Sequence, residues 1–297
     1  MFSPVLSLLA ALATANAAAH THWFTFGDSY TTTTFNQNST QPNDGNPLGN
    51  PALPGLTACG RVPNYVYYAS VKYNTTVTYA YNFAVGGATT DQNIVAPRDP
   101  KVPSVVQQIE TFAASYAGPT PAHTIPWTGS NSLFSVWIGI NDVGISYTAP
   151  ASVNQSKLHD ELIASYFNNL QTLYNLGARS FLLLTLCHRP ILLAVKQEYQ
   201  DKYRAAVLDF NAKLAAGITK FRTTNPTVAI RTVDTHALVT NILDSPQQYG
   251  FKDAVSYNAT EPTINEVVWC NAYHISPKTH DYVAQAVRDA LEGSELL

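Results

Sequence analysis

Short apolar runs recur along this chain with amphipathic helical patterns between and after them, and that alternation narrows the fold more than any other feature. The runs are His22–Gly27, Val77–Ala84, Leu133–Ile140, Ser180–Leu186 and Thr227–Val233. Each is nearly continuous in apolar character rather than strictly alternating, as parallel strands covered on both faces are. Helical patterns fall near Val105–Tyr116, Lys157–Leu176, Gln197–Arg222 and Lys278–Leu291. In the second, Leu158, Leu162, Ile163, Phe167, Leu170, Leu173 and Tyr174 keep the three-and-four spacing of one helix face. Strand, helix, strand repetition predicts a doubly wound α/β sheet with right-handed crossovers. Thr31–Arg61, rich in Thr, Asn, Pro and Gly and without a period, is expected to be a long irregular loop that helps shape a site. No repeat or linker divides the chain, so residues 20–297 read as one domain.

Charge and composition remove several functions. There are 17 Lys+Arg against 20 Asp+Glu, a formal charge of −3, and no basic run. An electrostatic nucleic-acid binder is therefore not expected. Hydrophobic residues make up 45% and aromatics 11%, which argues against disorder. Pro4–Ala19 is an Ala/Leu-rich run ending in Ala15-Asn16-Ala17, an A-x-A cleavage pattern. It is too short to span a bilayer and reads as a secretory signal, although a basic n-region is missing. No other stretch is long and apolar enough for a membrane span. Acceptor sequons at Asn38, Asn74, Asn154 and Asn258 suit an extracellular glycoprotein. The three cysteines, Cys59, Cys187 and Cys270, form no C-x-x-C pair, so structural zinc is not expected. One disulfide and one buried thiol are, with the pairing open.

Four blocks could carry chemistry. Phe26-Gly27-Asp28-Ser29-Tyr30 follows the first strand, where ligands gather in an open parallel sheet, so Ser29 is placed as a nucleophile. The plain alternative is an Asx-type turn. Asn82-Phe83-Ala84-Val85-Gly86-Gly87-Ala88-Thr89 ends the second run, where glycine lets a bare N–H approach a developing oxyanion. Gly139-Ile140-Asn141-Asp142 ends the third, and the Asn141 amide could donate to the same oxygen. Ordinary βα turns explain either block alone. Trp269-Cys270-Asn271-Ala272-Tyr273-His274 precedes the last helix, where His274 could take a proton from serine. All four blocks lie on one rim of the inferred sheet.

As an ordered set, F-G-D-S-Y, N-F-A-V-G-G-A-T, W-I-G-I-N-D and H-I-S-P resemble the GDSL/SGNH hydrolase superfamily over about 270 residues. The wording, length and lack of added modules look most like fungal acetylesterases of carbohydrate esterase family sixteen. The resemblance implies a three-layer α/β/α sandwich around a mainly parallel five-stranded, flavodoxin-like sheet. It implies Ser29 as nucleophile and His274 as general base. The oxyanion hole would be the N–H groups of Ser29 and Gly87 with the Asn141 side chain; Gly86 replaces Gly87 if the loop shifts by one. Tyr30 and Asp142, beside these residues, are expected to contact substrate. One departure is Asn271, where the family usually has Asp three residues before the histidine. An Asn oxygen can orient the ring but brings no charge; in a serine protease the Asp→Asn change costs about 10⁴ in turnover. The readings are a dyad oriented by Asn271, a carboxylate recruited from elsewhere, or a weak catalyst. His188 or Arg189, after the fourth run, could also line the substrate site, although a solvated loop at a strand end explains them better.

The leading expectation is a secreted, monomeric serine esterase that needs no cofactor or metal and deacetylates plant cell-wall oligosaccharides through an acyl-Ser29 intermediate. No G-x-S-x-G elbow and no H-E-x-x-H motif is present. The first 30 residues of the mature chain hold no long apolar lid, which favours acetyl over fatty acyl groups. Within the same superfamily the alternative is a lipase or phospholipase-like esterase. From other classes come a non-catalytic carbohydrate binder, motivated by Asn271 with 17 Tyr and 4 Trp, and a copper oxidase with His20 as its mature amino terminus.

Overall fold

The computed structural model describes residues 20–150, 152–187, 196–260, 263–294 and 296. Five parallel strands form one sheet: β1 (Thr21–Gly27), β2 (Thr78–Asn82), β3 (Ser132–Trp137), β4 (Ser180–Leu184) and β5 (Ala229–Val233). Their spatial order is β2-β1-β3-β4-β5. The helices are α1 (Tyr65–Tyr67), running into a π turn at Tyr68–Lys72, α2 (Val105–Phe112), with a π turn at Ala113–Ala117, α3 (Ile140–Ser146), α4 (Gln155–Asn175), α5 (Gln197–Thr224), α6 (Thr235–Asp244) and α7 (Pro277–Leu291). Every residue of β1 and of β3 is buried, which is why those segments read as continuous apolar runs. One aromatic core joins the sheet to the α2 segment: Phe24 packs within 5.0 Å of Tyr81, Phe112 and Phe134.

The five expected strands are all present, but three end earlier than their apolar runs. Phe83 and Ala84, Ile138 to Ile140, and Leu186 stay buried while leaving the ladder, and Thr185 is half-buried. The Gly139–Asp142 block is the largest correction. It opens helix α3 rather than ending β3, and Gly139 at the cap has φ +118°. A Cβ there would stand 2.5 Å from the Phe210 ring, so only glycine fits. The Thr31–Arg61 segment is irregular, held by its own amides: Asn50 Nδ2 donates to the carbonyls of Asn36 and Thr40 at 2.9 and 2.8 Å. It carries two cis X-Pro bonds, Asn50-Pro51 and Leu53-Pro54. Of the sequon residues, Asn38 and Asn154 are exposed. Asn154 also caps α4 by accepting from Lys157 N, and Asn74 and Asn258 are half-buried.

The strand order reverses between β1 and its two neighbours, since β1 pairs with β2 on one side and β3 on the other. The connections after β1 and β3 therefore diverge and leave a crevice at the carboxyl edge, which is where Ser29 and Asn141 stand. Gly27 makes this possible: at φ +152°, a Cβ there would lie 2.4 Å from the Trp137 carbonyl oxygen. Gly27→Ala is expected to destabilise the protein by about 2–3 kcal/mol through that backbone collision and its strained φ. The check is thermal unfolding, which should show a lowered Tm.

Candidate active site

The nucleophile turn is built from short side-chain struts. Asp28 makes an Asx turn, its Oδ1 accepting from Tyr30 N at 3.0 Å and its carbonyl from Thr31 N and Thr32 N. The plain turn and the nucleophile position are thus the same feature. Asn82 and Asn64 each donate to the Thr31 carbonyl, at 2.7 and 2.9 Å. Gln108 of α2 brackets Gly27, accepting from its N–H at 2.9 Å and donating to its carbonyl at 2.8 Å. Buried neutral amides satisfy these backbone groups without burying charge.

Above this turn lies a cleft of about 390 Å³. Ser29, Gly86, Gly87, Asn141 and His274 line it together, so the four sequence blocks meet in one place; Arg98, Gly144, Ile145 and Tyr273 complete the wall. His274 Nε2 is 2.7 Å from Ser29 Oγ, and His274 Nδ1 is 2.8 Å from Asn271 Oδ1. That Asn271 oxygen also accepts from Tyr273 N at 2.9 Å and His274 N at 3.1 Å. Two backbone N–H groups can only donate, so the atom facing them must be the amide oxygen. Nδ1 must then carry a proton toward the same oxygen, which leaves Nε2 as the acceptor for the serine hydroxyl. The arrangement holds the base in the tautomer that serine activation needs. Beneath it, His280 is buried, and burial, with His274 adding to it, pushes its imidazole down to about 3.

On the opposite wall, Asn141 Nδ2 donates to the Ala88 carbonyl at 2.8 Å, which turns the amide nitrogen toward the Gly86–Gly87 segment. Gly87 has φ +86°, while Gly86 lies nearer the nucleophile: its Cβ would be 3.7 Å from that of Ser29. Both glycines are exposed to the cleft.

Two expected substrate contacts are corrected. Tyr30 is buried; its hydroxyl donates to the Tyr273 carbonyl at 2.6 Å and its ring packs on Trp137 and His274. It braces the serine turn against the histidine loop. Asp142 is fully buried, its carboxylate accepting from Thr90 N at 3.0 and 3.1 Å and from Thr90 Oγ1 at 3.3 Å. It clips α3 to the glycine segment instead of facing substrate. His188 and Arg189 lie outside the described residues. Arg98, Gly144, Ile145 and Tyr273 were not anticipated, because no motif marks them.

The disulfide joins Cys59 to Cys270, with Cα atoms 5.9 Å apart, and Cys187 is buried elsewhere. It fastens the long loop to the residue before Asn271, and Cys270 N donates to the His274 carbonyl at 2.9 Å. Among the described residues no three His, Cys, Asp or Glu side chains converge as metal ligands, and no helix is long and apolar enough to cross a membrane. The His20 ring packs against Tyr79, tilted, with centroids 4.7 Å apart.

A serine hydroxyl aimed at an oriented imidazole, beside a cluster of candidate oxyanion donors, defines the site of a serine hydrolase. The profile of the family described as GDSL-like Lipase/Acylhydrolase matches residues 24–287. Over 91% of its length the chain is 41% identical to an acetylesterase from Thermothelomyces thermophilus, covering 88% of that protein. It is 26% identical to an acetylesterase from Hypocrea jecorina, with 91% and 88% of the two chains covered. The crystal structure of an acetylxylan esterase from Geobacillus stearothermophilus shares the fold, with TM-score 0.53 at 15% identity, over 93% of this chain and 96% of that one. The chain belongs to the GDSL-like lipase/acylhydrolase family and is a carboxylic ester hydrolase.

Two outcomes follow from these contacts. Burial, aided by the Asp28 carboxylate and opposed by the Thr90 donors, pushes Asp142 from 3.8 up to about 7. Between those values the unfolded chain loses its proton before the folded one, so this group's contribution to stability is lost as pH rises. Asp142→Asn removes that loss, so Tm measured for both proteins should favour the variant more at pH 8 than at pH 4. Replacing Cys59 and Cys270 together by Ser should lower stability by about 2–5 kcal/mol. It should also lower kcat, because the His274 loop loses its tether; assays well below the lowered Tm separate the two effects.

Proposed function

We propose that the protein is an acetylesterase acting outside the cell on acetylated plant cell-wall oligosaccharides. The observation that carries the chemistry is the continuous Ser29–His274–Asn271 hydrogen-bonded chain, 2.7 and 2.8 Å in its two steps. Ser29 Oγ attacks the acyl carbon as its proton passes to His274 Nε2. The oxyanion is held by Ser29 N, the Gly87 N–H and Asn141 Nδ2. His274 then protonates the departing alcohol, and a water activated by the same nitrogen releases acetate from the acyl-serine. Asn271 keeps the ring oriented throughout but adds no negative charge to the imidazolium.

The cleft favours a short acyl group. Ile145 is the one aliphatic side chain among the described residues lining it, so a fatty chain would find little apolar surface there. Tyr273 lines the same cleft and is 38% exposed, a flat face suited to a sugar ring. The acetylesterase names of the relatives point the same way. Extracellular action rests on the Ala/Leu-rich segment before residue 20, which lies outside the described residues, and on the exposed sequons at Asn38 and Asn154.

The test is hydrolysis of 4-nitrophenyl acetate and butyrate with EDTA present. Wild type should turn over acetate faster than butyrate, and Ser29→Ala should lose about 10⁴-fold or more in kcat. Equal rates for the two proteins would overturn the proposal. Asn271→Ala should cost about 10²-fold through loss of ring orientation. Asn271→Asp should move the acidic limb of the kcat/KM profile to higher pH, since a carboxylate raises the histidine pKa. An unchanged profile would remove Asn271 from the role assigned here.

A further inference from the structure

Arg98 projects from the loop between β2 and α2, the loop that also carries Gly86 and Gly87, and it lines the cleft. The loop around it is fixed: Val95 and Pro97 are buried, and Val102 N donates to the Asp99 carbonyl at 3.0 Å. The side chain itself is exposed. Among the described residues no carboxylate stands within ion-pair distance of its guanidinium. Three arginines elsewhere are committed: Arg179 and Arg222 donate to backbone carbonyls and Arg288 pairs with Asp289. Asp99, the next residue, turns its Oδ1 to Lys101 N. Asp28 and Asp142, below the floor, are buried and held by backbone N–H groups. Among the described residues Arg98 is thus the one permanently charged group on the cleft wall, with its donors presented to whatever occupies the cleft.

We infer that Arg98 is a specificity-determining residue that favours esters whose alcohol half carries a carboxylate, so that acetylated oligosaccharides bearing uronic acid are preferred over neutral ones. The inference rests on the acetylesterase reading. The acetyl group is neutral in the bound ester and its transient oxyanion has its own donors in Ser29 N, the Gly87 N–H and Asn141 Nδ2, so a lasting anion that a substrate brings to this cleft belongs to the alcohol. A planar guanidinium matches a carboxylate with two parallel hydrogen bonds. The exposed Tyr273 face, with Ile145 the single aliphatic residue among the described wall residues, favours a pyranose over a phospholipid as the carrier of the anion.

The experiment compares kcat/KM for matched monoacetates of methyl glucopyranoside, its uronic acid and its 6-phosphate, with wild type, R98Q and R98K. The acid-to-neutral ratio should be about threefold to fivefold higher in wild type than in R98Q, as expected of a solvent-exposed but well-oriented ion pair. R98K should recover part of it, and about 0.5 M NaCl should bring the wild-type ratio toward that of R98Q. Equal ratios in wild type and R98Q, with turnover of the neutral ester intact, would overturn the inference and leave the acetylesterase reading standing. A ratio that responds only for the 6-phosphate would overturn the carboxylate assignment. Wild type inactive on all three would overturn both readings.

Discussion

Strand β1 is the constraint on which the molecule turns. It is wholly buried, pairs on both sides, and sends its chain out at the point where the sheet's winding direction reverses. A parallel sheet leaves unpaired backbone and diverging loops at that edge, and a polar cleft there costs the core nothing. The serine turn exploits this position with neutral amides rather than charges. Asn64, Asn82 and Gln108 satisfy the carbonyls and N–H groups that the turn would otherwise bury unpaired. A chain with only 12% charged residues can still build a stiff polar site by this means.

The same economy governs the base. Asn271 uses one oxygen for three donors, so the backbone of the histidine loop and the ring it orients share a single acceptor. That arrangement sets geometry but supplies no charge, so in the proposed mechanism the oxyanion donors and solvent carry the charge stabilisation. Asp142, which by sequence looked like a partner for substrate, works from below by tying α3 to the segment after Gly86 and Gly87 at Thr90.

What the residues made legible and what they hid divide along physical lines. Strands buried on both faces advertise themselves as apolar runs, and the Ser, Gly, Asn and His blocks are read from local sequence because each is a strand-end device. Helix α3 was hidden because Gly139, Asn141, Asp142 and Gly144 have poor helical propensity, and its cap looks like a turn. The π turn after α1 sits in a tyrosine-rich stretch without a clean period. Cys59 pairing with Cys270 could not be read, since it depends on two loops meeting across the fold. Arg98 and Tyr273 carry no motif; only their shared cleft gives them meaning.

The link between Cys59 and Cys270 spans 211 positions of sequence. Synthesis therefore delivers the nucleophile's strand and its loop long before the histidine that activates them. In the proposed mechanism Ser29 lacks its base until His274 emerges and the loop fastened by Cys270 closes. On the proposed mechanism a working site needs the last loop closed onto the first, so catalysis would double as a report that folding has finished.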